Sequence, residues 1–426
     1  MKIFIRPPAE LLEGRRPGKV VENEELVSYI KPIIADVRDR GDDAILEYTR
    51  RFDEVSLKAE ELRVSEEEIK KAYDTLSDGE TQALECSKER LKLVEEERLD
   101  RLQFDYSLDG IIINNGYRSI SSVGCYVPGG KASYPSSLIM NVVPARVAGV
   151  SRVAVCSPPA RGGEINPLTL VAADICGVDE VYRMGGAQAI AAMAYGTETI
   201  EFMDKIVGPG NVFVTLAKQL VSEHVAVDKP AGPTEILVLA DETAEPELVA
   251  LDMISQAEHG EGGISGLVTT SNKLAERVRA RLSEYMENIP KRSVVKKVLS
   301  ERGFIYITQS MRKGIEFVNL FAPEHVEILT SEDEAIAEQI NTAGLVLLGR
   351  YTPVSATDYC MGVNHVLPTG GYGRLYGGIT VLDYIKPISI VRASKRGLQA
   401  VRDSIGILAR SEGLPNHALA VEGRFE

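Results

Sequence analysis

The sequence predicts an α/β protein with two parallel-sheet lobes, an N-terminal arm and a C-terminal helical tail. Three observations carry this prediction. From about residue 150 to residue 348, short apolar segments alternate with amphipathic helical ones. The alternation holds more strands than one mononucleotide-binding half requires. The last forty or so residues then leave the pattern: 394–408 reads as an amphipathic helix and 411–417 as a polar turn beyond it.

Residues 22–104 interleave charged and apolar side chains at helical spacing, and the run Glu95-Glu96-Glu97-Arg98 reads as a solvated helix face. Next come strand 152–156, helix 168–176, strand 180–184 and helix 187–195. Strand 205–207, helix 212–223, strand 235–240 and helix 246–258 extend the series. It runs on through 267–270, 273–287, 304–308, 313–320, 326–329, 334–340 and 345–348. So many β-α repeats imply parallel sheets covered by helices. The seam between lobes is expected near Lys229-Pro230-Ala231-Gly232-Pro233, with ligands where loops leave the carboxyl ends of strands. The expected division is an arm at 1–21, a larger lobe from 22–120 and 236–380, a second lobe at 121–235, and a tail at 381–426. No tandem repeat interrupts it.

Composition narrows the function. A net charge of −14, from 62 acidic against 48 basic side chains, repels a phosphate backbone and argues against nucleic-acid binding. Five cysteines without a C-x-x-C pair make neither a disulfide framework nor a thiolate zinc site, which fits a reducing, cytoplasmic setting. The apolar run at the N-terminus breaks too early for a signal peptide. No uninterrupted apolar stretch approaches the roughly 18 residues of a membrane helix, so a soluble protein without a membrane partner is expected.

Four of the five histidines lie beside other polar groups in compact motifs. In Ser255-Gln256-Ala257-Glu258-His259-Gly260, the i, i+3 spacing puts Gln256 and His259 on one helical face, and Gly260 suits the position that ends the helix. An oxygen donor one turn before an imidazole is half a metal site. The run from Asp358 to His365 offers a hard carboxylate and a second imidazole, and Glu412-Gly413-Leu414-Pro415-Asn416-His417 offers the same pair near the C-terminus. Taken singly, each is equally what a helix end, a loop cap or a solvated tail carries. Phe321-Ala322-Pro323-Glu324-His325 places a carboxylate next to an imidazole, which can accept a proton near neutral pH while the Glu orients a water. Three glycine-rich segments, Tyr126-Val127-Pro128-Gly129-Gly130, Gly185-Gly186-Ala187-Gln188 and Gly208-Pro209-Gly210-Asn211, stand at strand ends or helix starts. Backbone amides can meet a dinucleotide there, although no strict G-x-G-x-x-G is present.

Taken in order, these segments resemble histidinol dehydrogenase. The likeness rests on Gly124-Cys125-Tyr126-Val127-Pro128-Gly129-Gly130, Gly185-Gly186-Ala187-Gln188, Asp204 through Asn211, Pro230-Ala231-Gly232-Pro233-Thr234-Glu235, Gln256-Ala257-Glu258-His259, Ala322-Pro323-Glu324-His325, Gly362 through Gly371, and Glu412 through His417. It covers nearly the whole chain. The resemblance implies Rossmann-like lobes of aldehyde-dehydrogenase-like type and one zinc per subunit, with Gln256, His259, Asp358 and His417 as zinc ligands. It further implies Glu324 and His325 as the acid-base pair and Tyr126, Gln188 and Asn211 as NAD contacts. Thr234, His365 and Glu412 fall on substrate-contacting positions, Glu412 near the substrate amine, and the zinc ligands and His325 also face the substrate. A homodimer whose C-terminal tail crosses to the partner's site is implied as well. Thr234 stands where the family commonly has Ser, and Gly260-Glu261-Gly262-Gly263 is unusually glycine-rich.

The implied activity is a zinc-dependent, NAD-linked oxidation of L-histidinol to L-histidine through bound histidinaldehyde, the last steps of histidine biosynthesis. Histidinol can chelate a metal through its amine and imidazole, so zinc chiefly positions it. A hydrate route to the acid needs no cysteine nucleophile. The alternatives are a paralogue oxidising another amino or sulfonated alcohol, a zinc hydrolase in which Glu324 activates water, and a non-catalytic metal-binding protein.

Overall fold

A computed structural model describes residues 2–4, 9–13, 15, 24–129, 133–260 and 262–425 of the chain. Most of the arm expected at 1–21 therefore lies outside the described residues, as do Gly130 and Glu261 of the glycine-rich motifs. Strand β1 (Lys2–Phe4) and helix α1 (Ala9–Leu12) precede four helices, α2 (Glu24–Arg40), α3 (Asp42–Phe52), α4 (Glu66–Tyr73) and α5 (Asp78–Asp100). Ser65 and Ser77 start α4 and α5 with capping boxes closed by Glu68 and Glu80. A hairpin of β2 (Phe104–Leu108) and β3 (Ile111–Ser119) follows.

The first β-α series comprises β4 (Ser122–Tyr126), α6 (Pro135–Val147), β5 (Arg152–Ser157), α7 (Pro167–Ile175), β6 (Glu180–Arg183), α8 (Gly186–Tyr195), β7 (Lys205–Val207), α9 (Val212–Val221) and β8 (Ala226–Val227). Its five strands are parallel in the order β6-β5-β4-β7-β8. The second series runs β9 (Glu235–Ala240), α10 (Pro246–Ala257), β10 (Ile264–Thr269), α11 (Asn272–Tyr285), α12 (Arg292–Glu301), β11 (Phe304–Ile307), α13 (Met311–Phe321), β12 (His325–Leu329), α14 (Asp333–Ala337) and β13 (Leu345–Leu348). With β1 added at one edge, its sheet is β1-β11-β10-β9-β12-β13, again all parallel. Leaving β1 aside, both sheets share one order, third-second-first-fourth-fifth, which is that of a Rossmann-like half.

The domain division needs correction. Helices α2 to α5, grouped from the sequence with residues 236–380, pack instead on the five-stranded sheet. Ile30, Ile34 and Ile45 join Ile190 and Met193 of α8 on one face. Leu84 and Leu91 of α5 join Leu138 and Val142 of α6 on the other. An amphipathic helix declares in its sequence that it has an apolar face, not which sheet that face covers.

The helix expected at 273–287 is present as α11, and two further elements were not expected from the pattern. Helix α12 follows α11 before β11. After α15 (Val354–Thr357), strand β14 (Ile385–Ala393) pairs antiparallel with β3 along its whole length, making a three-stranded sheet β14-β3-β2 that the pattern did not reveal. Its side chains explain why: Phe104, Tyr106, Leu108, Ile388, Ile390 and Val391 are exposed in the single chain, so neither face stands out as buried. Helix α16 (Lys395–Ser411) packs against α17 (Pro415–Glu422), and 411–417 is no simple turn, because Gly413 at φ 74° ends one helix and Pro415 opens the next. Among the described residues no helix is long and apolar enough to cross a membrane.

Candidate active site

Glu324 and His325 sit at the amino edge of the six-stranded sheet, not at a carboxyl edge as expected. Thr234 immediately precedes β9, and His325 is the first residue of β12, with Glu324 just before it. The carboxyl-edge rule describes an open sheet on its own. Here groups from the other lobe close on the amino edge: Ser137 of α6 reaches His365, and the Thr369 hydroxyl accepts from the Gly232 amide at the seam. Helix α10 crosses from β9 to β10 and so returns its C-terminal end, with Gln256 and His259, to the same edge.

Five residues form one connected group. Glu324 Oε2 accepts from the Thr234 hydroxyl at 2.7 Å and from the Glu235 amide at 2.8 Å. Thr234 Oγ1 also lies 3.0 Å from Gln256 Oε1. A hydroxyl has one proton, so Thr234 donates to the Glu324 carboxylate or to the Gln256 carbonyl oxygen, and not to both at once. His325 Nδ1 lies 3.1 Å from the Glu235 carbonyl oxygen and 3.5 Å from Glu324 Oε2. A carbonyl only accepts, so Nδ1 carries the proton and Nε2 the lone pair. That Nε2 is buried without a hydrogen-bond partner, on a residue only 2 % exposed. Burial by itself pushes the imidazole pKa down. The Glu324 carboxylate, Asp358 and the Glu235 carbonyl together outweigh it, and the net shift is upward.

Asp358 caps the end of α15, which packs on α10. His365 Nδ1 donates to the Asp358 carbonyl at 2.7 Å, and its Nε2 lies 3.3 Å from Ser137 Oγ. Burial lowers the His365 pKa against the opposing pull of Asp358. The Ser87 hydroxyl of α5 donates to the Tyr359 carbonyl, and the Asn364 amide donates to the Met140 carbonyl at 2.6 Å, so two helices on one face of the five-stranded sheet fix this loop. The structure thus brings together Thr234, Gln256, Glu324, His325, Asp358 and His365. His259 is exposed one turn past Gln256, and Glu412 and His417 are exposed on the tail. Among the described residues no three His, Cys, Asp or Glu side chains cluster to hold a metal, so His417 does not meet His259 and Asp358 within one chain.

The residues proposed for the cofactor lie at the carboxyl edge of the five-stranded sheet, at the β4-β7 switch of strand order. The Tyr126 hydroxyl accepts from the Gly186 amide at 3.2 Å. Gln188 Oε1 is buried and unpartnered. Asn211 caps α9 with its side-chain oxygen, accepting from Phe213 and Val214 at 3.0 and 3.1 Å, which leaves its NH2 free of that role. Between them Gly208 has φ 115°, and a Cβ there would meet the Tyr126 carbonyl oxygen at 2.1 Å. The buried Lys218–Asp228 ion pair clamps this glycine: Asp228 accepts from its amide at 2.7 Å and Lys218 donates to its carbonyl at 2.8 Å. A pocket of about 220 Å³ opens beside this edge at Gly129, Ser157 and Thr169. A cleft of about 1060 Å³ lies on the opposite edge, far from these groups, and its Arg40 and Arg152 are already paired with carboxylates.

The model of the family described as histidinol dehydrogenase matches residues 17–425. The chain belongs to the histidinol dehydrogenase family. Curated histidinol dehydrogenases from Methanothermobacter thermautotrophicus and Clostridium acetobutylicum are each 43 % identical to it, over 98 % and 96 % of this chain and 96 % and 94 % of their own lengths. A crystal structure of histidinol dehydrogenase from Elizabethkingia anophelis matches at a TM-score of 0.94 and 36 % identity, covering all of this chain and 98 % of that one. The chain is therefore an oxidoreductase of this family, with the α/β fold its motifs imply.

Motif reading missed several residues at this family site. Glu235 lies inside the quoted Pro230–Glu235 segment, yet the parts that matter are its backbone amide and carbonyl, which no side-chain motif announces. Ser137 carries no signal of its own. Two positions along β12 from His325, Glu327 shares a side-chain hydrogen bond with Asp252 of α10, one turn before Gln256. Burial, then the neighbouring carboxylate, pushes Glu327 up to about 9, and burial raises Asp252 as well, so the pair holds one proton at neutral pH. Burial also pushes the Cys125 thiol well up and raises that of Cys360, which suits neither to nucleophilic attack.

Two outcomes follow from this geometry. Gly208→Ala should lose about 2–4 kcal/mol of stability in urea unfolding, because both φ and the backbone contact are violated; a loss under about 0.5 kcal/mol would contradict the close approach. Glu327 binds its proton more tightly folded than unfolded. Its stabilisation is therefore complete below its ordinary value of 4.5 and declines as pH rises toward about 9. Glu327→Gln should accordingly gain on the parent by up to about 1 kcal/mol per pH unit across that window. A pH-independent difference between the two would show that the pair holds no extra proton.

Proposed function

We propose that the chain oxidises L-histidinol to L-histidine in two NAD-linked steps at a zinc site, through an aldehyde that stays bound. The observation that carries this reading is His325: its Nδ1 proton is committed to the Glu235 carbonyl, and Nε2 is left as a buried, unpartnered base beside Glu324. Gln256, His259 and Asp358 supply a carbonyl oxygen, an imidazole and a carboxylate, a donor set suited to zinc, with His417 as the fourth. The orphaned Gln188 oxygen, Tyr126 and Asn211 suit NAD at the β4-β7 edge. When bound, zinc would hold the amine and imidazole nitrogens of histidinol, and NAD would accept a hydride in each oxidation.

The chain's own groups do the proton work. His325 Nε2 accepts the alcohol proton, and the Glu324 carboxylate beside Nδ1 steadies the imidazolium that results. The proton must then leave before the second step. Glu324 orients a water toward the aldehyde carbon and His325 takes the water proton, giving the hydrate as its alkoxide, ready for the second oxidation. The Thr234 hydroxyl and Glu235 amide keep Glu324 aimed. Thr234, His365 and Glu412 are assigned to the substrate, Glu412 to its amine.

A homodimer belongs to the same reading. The β14-β3-β2 sheet and the tail expose Tyr106, Ile390, Val391, Ile407, Leu408 and Leu419 together, more apolar surface than an isolated chain keeps in water. A second copy would cover it, with His417 and Glu412 completing the other subunit's site. A cytoplasmic location fits the free cysteines Cys86, Cys125, Cys156, Cys176 and Cys360.

Glu324→Gln and His325→Asn should lower kcat by about 10²–10⁴-fold while zinc content and histidinol affinity stay near those of the parent. Metal loss in either variant would mean that ligand and proton-transfer roles are wrongly divided, and turnover of an amide or ester without NAD would favour the hydrolase alternative. Mixing His325→Asn with His417→Ala subunits under exchange should restore activity, because each mixed dimer keeps one complete site. No recovery despite demonstrated exchange would place His417 in its own chain's site.

A further inference from the structure

We infer that Arg15, in the N-terminal arm, is the positioning residue that locks Glu324 and His325 into register, by holding together the two segments from which they project. The inference rests on the acid-base assignment above. Arg15 is only 7 % exposed although it lies ahead of residues 17–425, where the family's pattern begins to match. Its guanidinium makes a forked ion pair with Glu235, Nη1 to Oε1 and Nη2 to Oε2, the latter at 2.7 Å. Nε donates to the Phe321 carbonyl at 2.8 Å and Nη2 to the Ala322 carbonyl at 3.3 Å, while the guanidinium lies 3.6 Å above the Phe321 ring.

Each of those partners leads directly to a catalytic atom. Glu235 contributes the amide that holds Glu324 and the carbonyl that fixes the His325 tautomer. Phe321 and Ala322 are the last residue and the cap of α13, and only Pro323 separates them from Glu324. Ala322 has a left-handed φ of 51°, a conformation that alanine adopts only under constraint. A planar fork with further donors on its flank can serve a carboxylate and two carbonyls at once, which a lysine ammonium cannot do in one plane. Burying such an ion pair adds little stability over apolar packing of the same volume. Its effect is geometric: the start of β9 cannot shift against the end of α13 without breaking the fork. From behind, Gly371 packs so closely on the Arg15 carbonyl that a Cβ would meet it at 2.2 Å, seating the arm.

The test compares Arg15→Met, Arg15→Lys and the double variant Arg15→Met/Glu235→Gln in the full-length chain. The double variant removes the unpaired buried carboxylate that the first alone would leave, and it keeps the Glu235 backbone. We expect its urea midpoint to match the parent, its kcat with histidinol and NAD to fall about 10²-fold, and KM for histidinol to change less than about threefold. Arg15→Lys should retain part of the rate, between parent and Arg15→Met. Hydrogen–deuterium exchange of the peptide carrying the Glu235 amide should quicken in the double variant. Parental kcat and parental exchange in the double variant would overturn the inference and leave Arg15 a structural charge partner only. If the parent itself does not oxidise histidinol, the functional reading fails, and the exchange measurement still decides the positioning of Glu324 and His325.

Discussion

The pairing of β9 with β12 is the constraint on which the site depends. Parallel register sets His325 opposite Ile236, which brings Glu324 and His325 beside the Glu235 backbone. Buried backbone polar groups must be satisfied. The Glu235 amide donates to the Glu324 carboxylate and the Glu235 carbonyl accepts from His325 Nδ1, so that a requirement of sheet formation also fixes the aim of one carboxylate and one imidazole tautomer. Side chains gather around this peptide in layers. Thr234 and Gln256 extend it toward α10, and Asp358 and His365 extend it toward the other lobe.

Much of this was legible in the sequence, and the boundary between what was and what was not follows contact range. Alternating apolar strands and amphipathic helices gave nearly every element of the two parallel sheets, because each such segment carries its own periodicity. The motifs gave Thr234, Gln256, Glu324, His325, Asp358 and His365, all found together. What escaped was the set of relations between segments far apart in the chain. Arg15 meets Glu235 across 220 positions, and Ser137 meets His365 across 228. The placement of α2 to α5 was misjudged for the same reason, and β2, β3 and β14 were missed because their apolar residues face outward. The edge of the sheet at which these residues gather was also misjudged, since that depends on what the second lobe covers.

Buried charge is spent sparingly and always near a loop with a task. Lys218 and Asp228 clamp Gly208 against Tyr126; Lys205 and Lys229 both reach Asp383, the former through its carbonyl, and so tie the strand β7 and the seam to the segment that precedes β14. Asp252 and Glu327 share a proton under the end of α10 that carries Gln256. Each is a place where apolar packing could have filled the volume, and where the polar alternative fixes a direction as well as a distance.

The two lobes have one strand order but present opposite edges to the gap between them, and this has an electrical consequence. At the carboxyl edge of the five-stranded sheet the helices begin: α8 and α9 point their amide ends outward, each worth about half a positive charge. At the amino edge of the six-stranded sheet they end, and α10 and α13 turn their carbonyl termini toward Gln256 and Glu324, with the opposite sign. The gap is thus polarised by backbone alone, before any side chain is counted. Such a field would favour an anionic ligand on one wall and a cationic one on the other, so that two partners of opposite charge would be sorted and oriented by the way the lobes face.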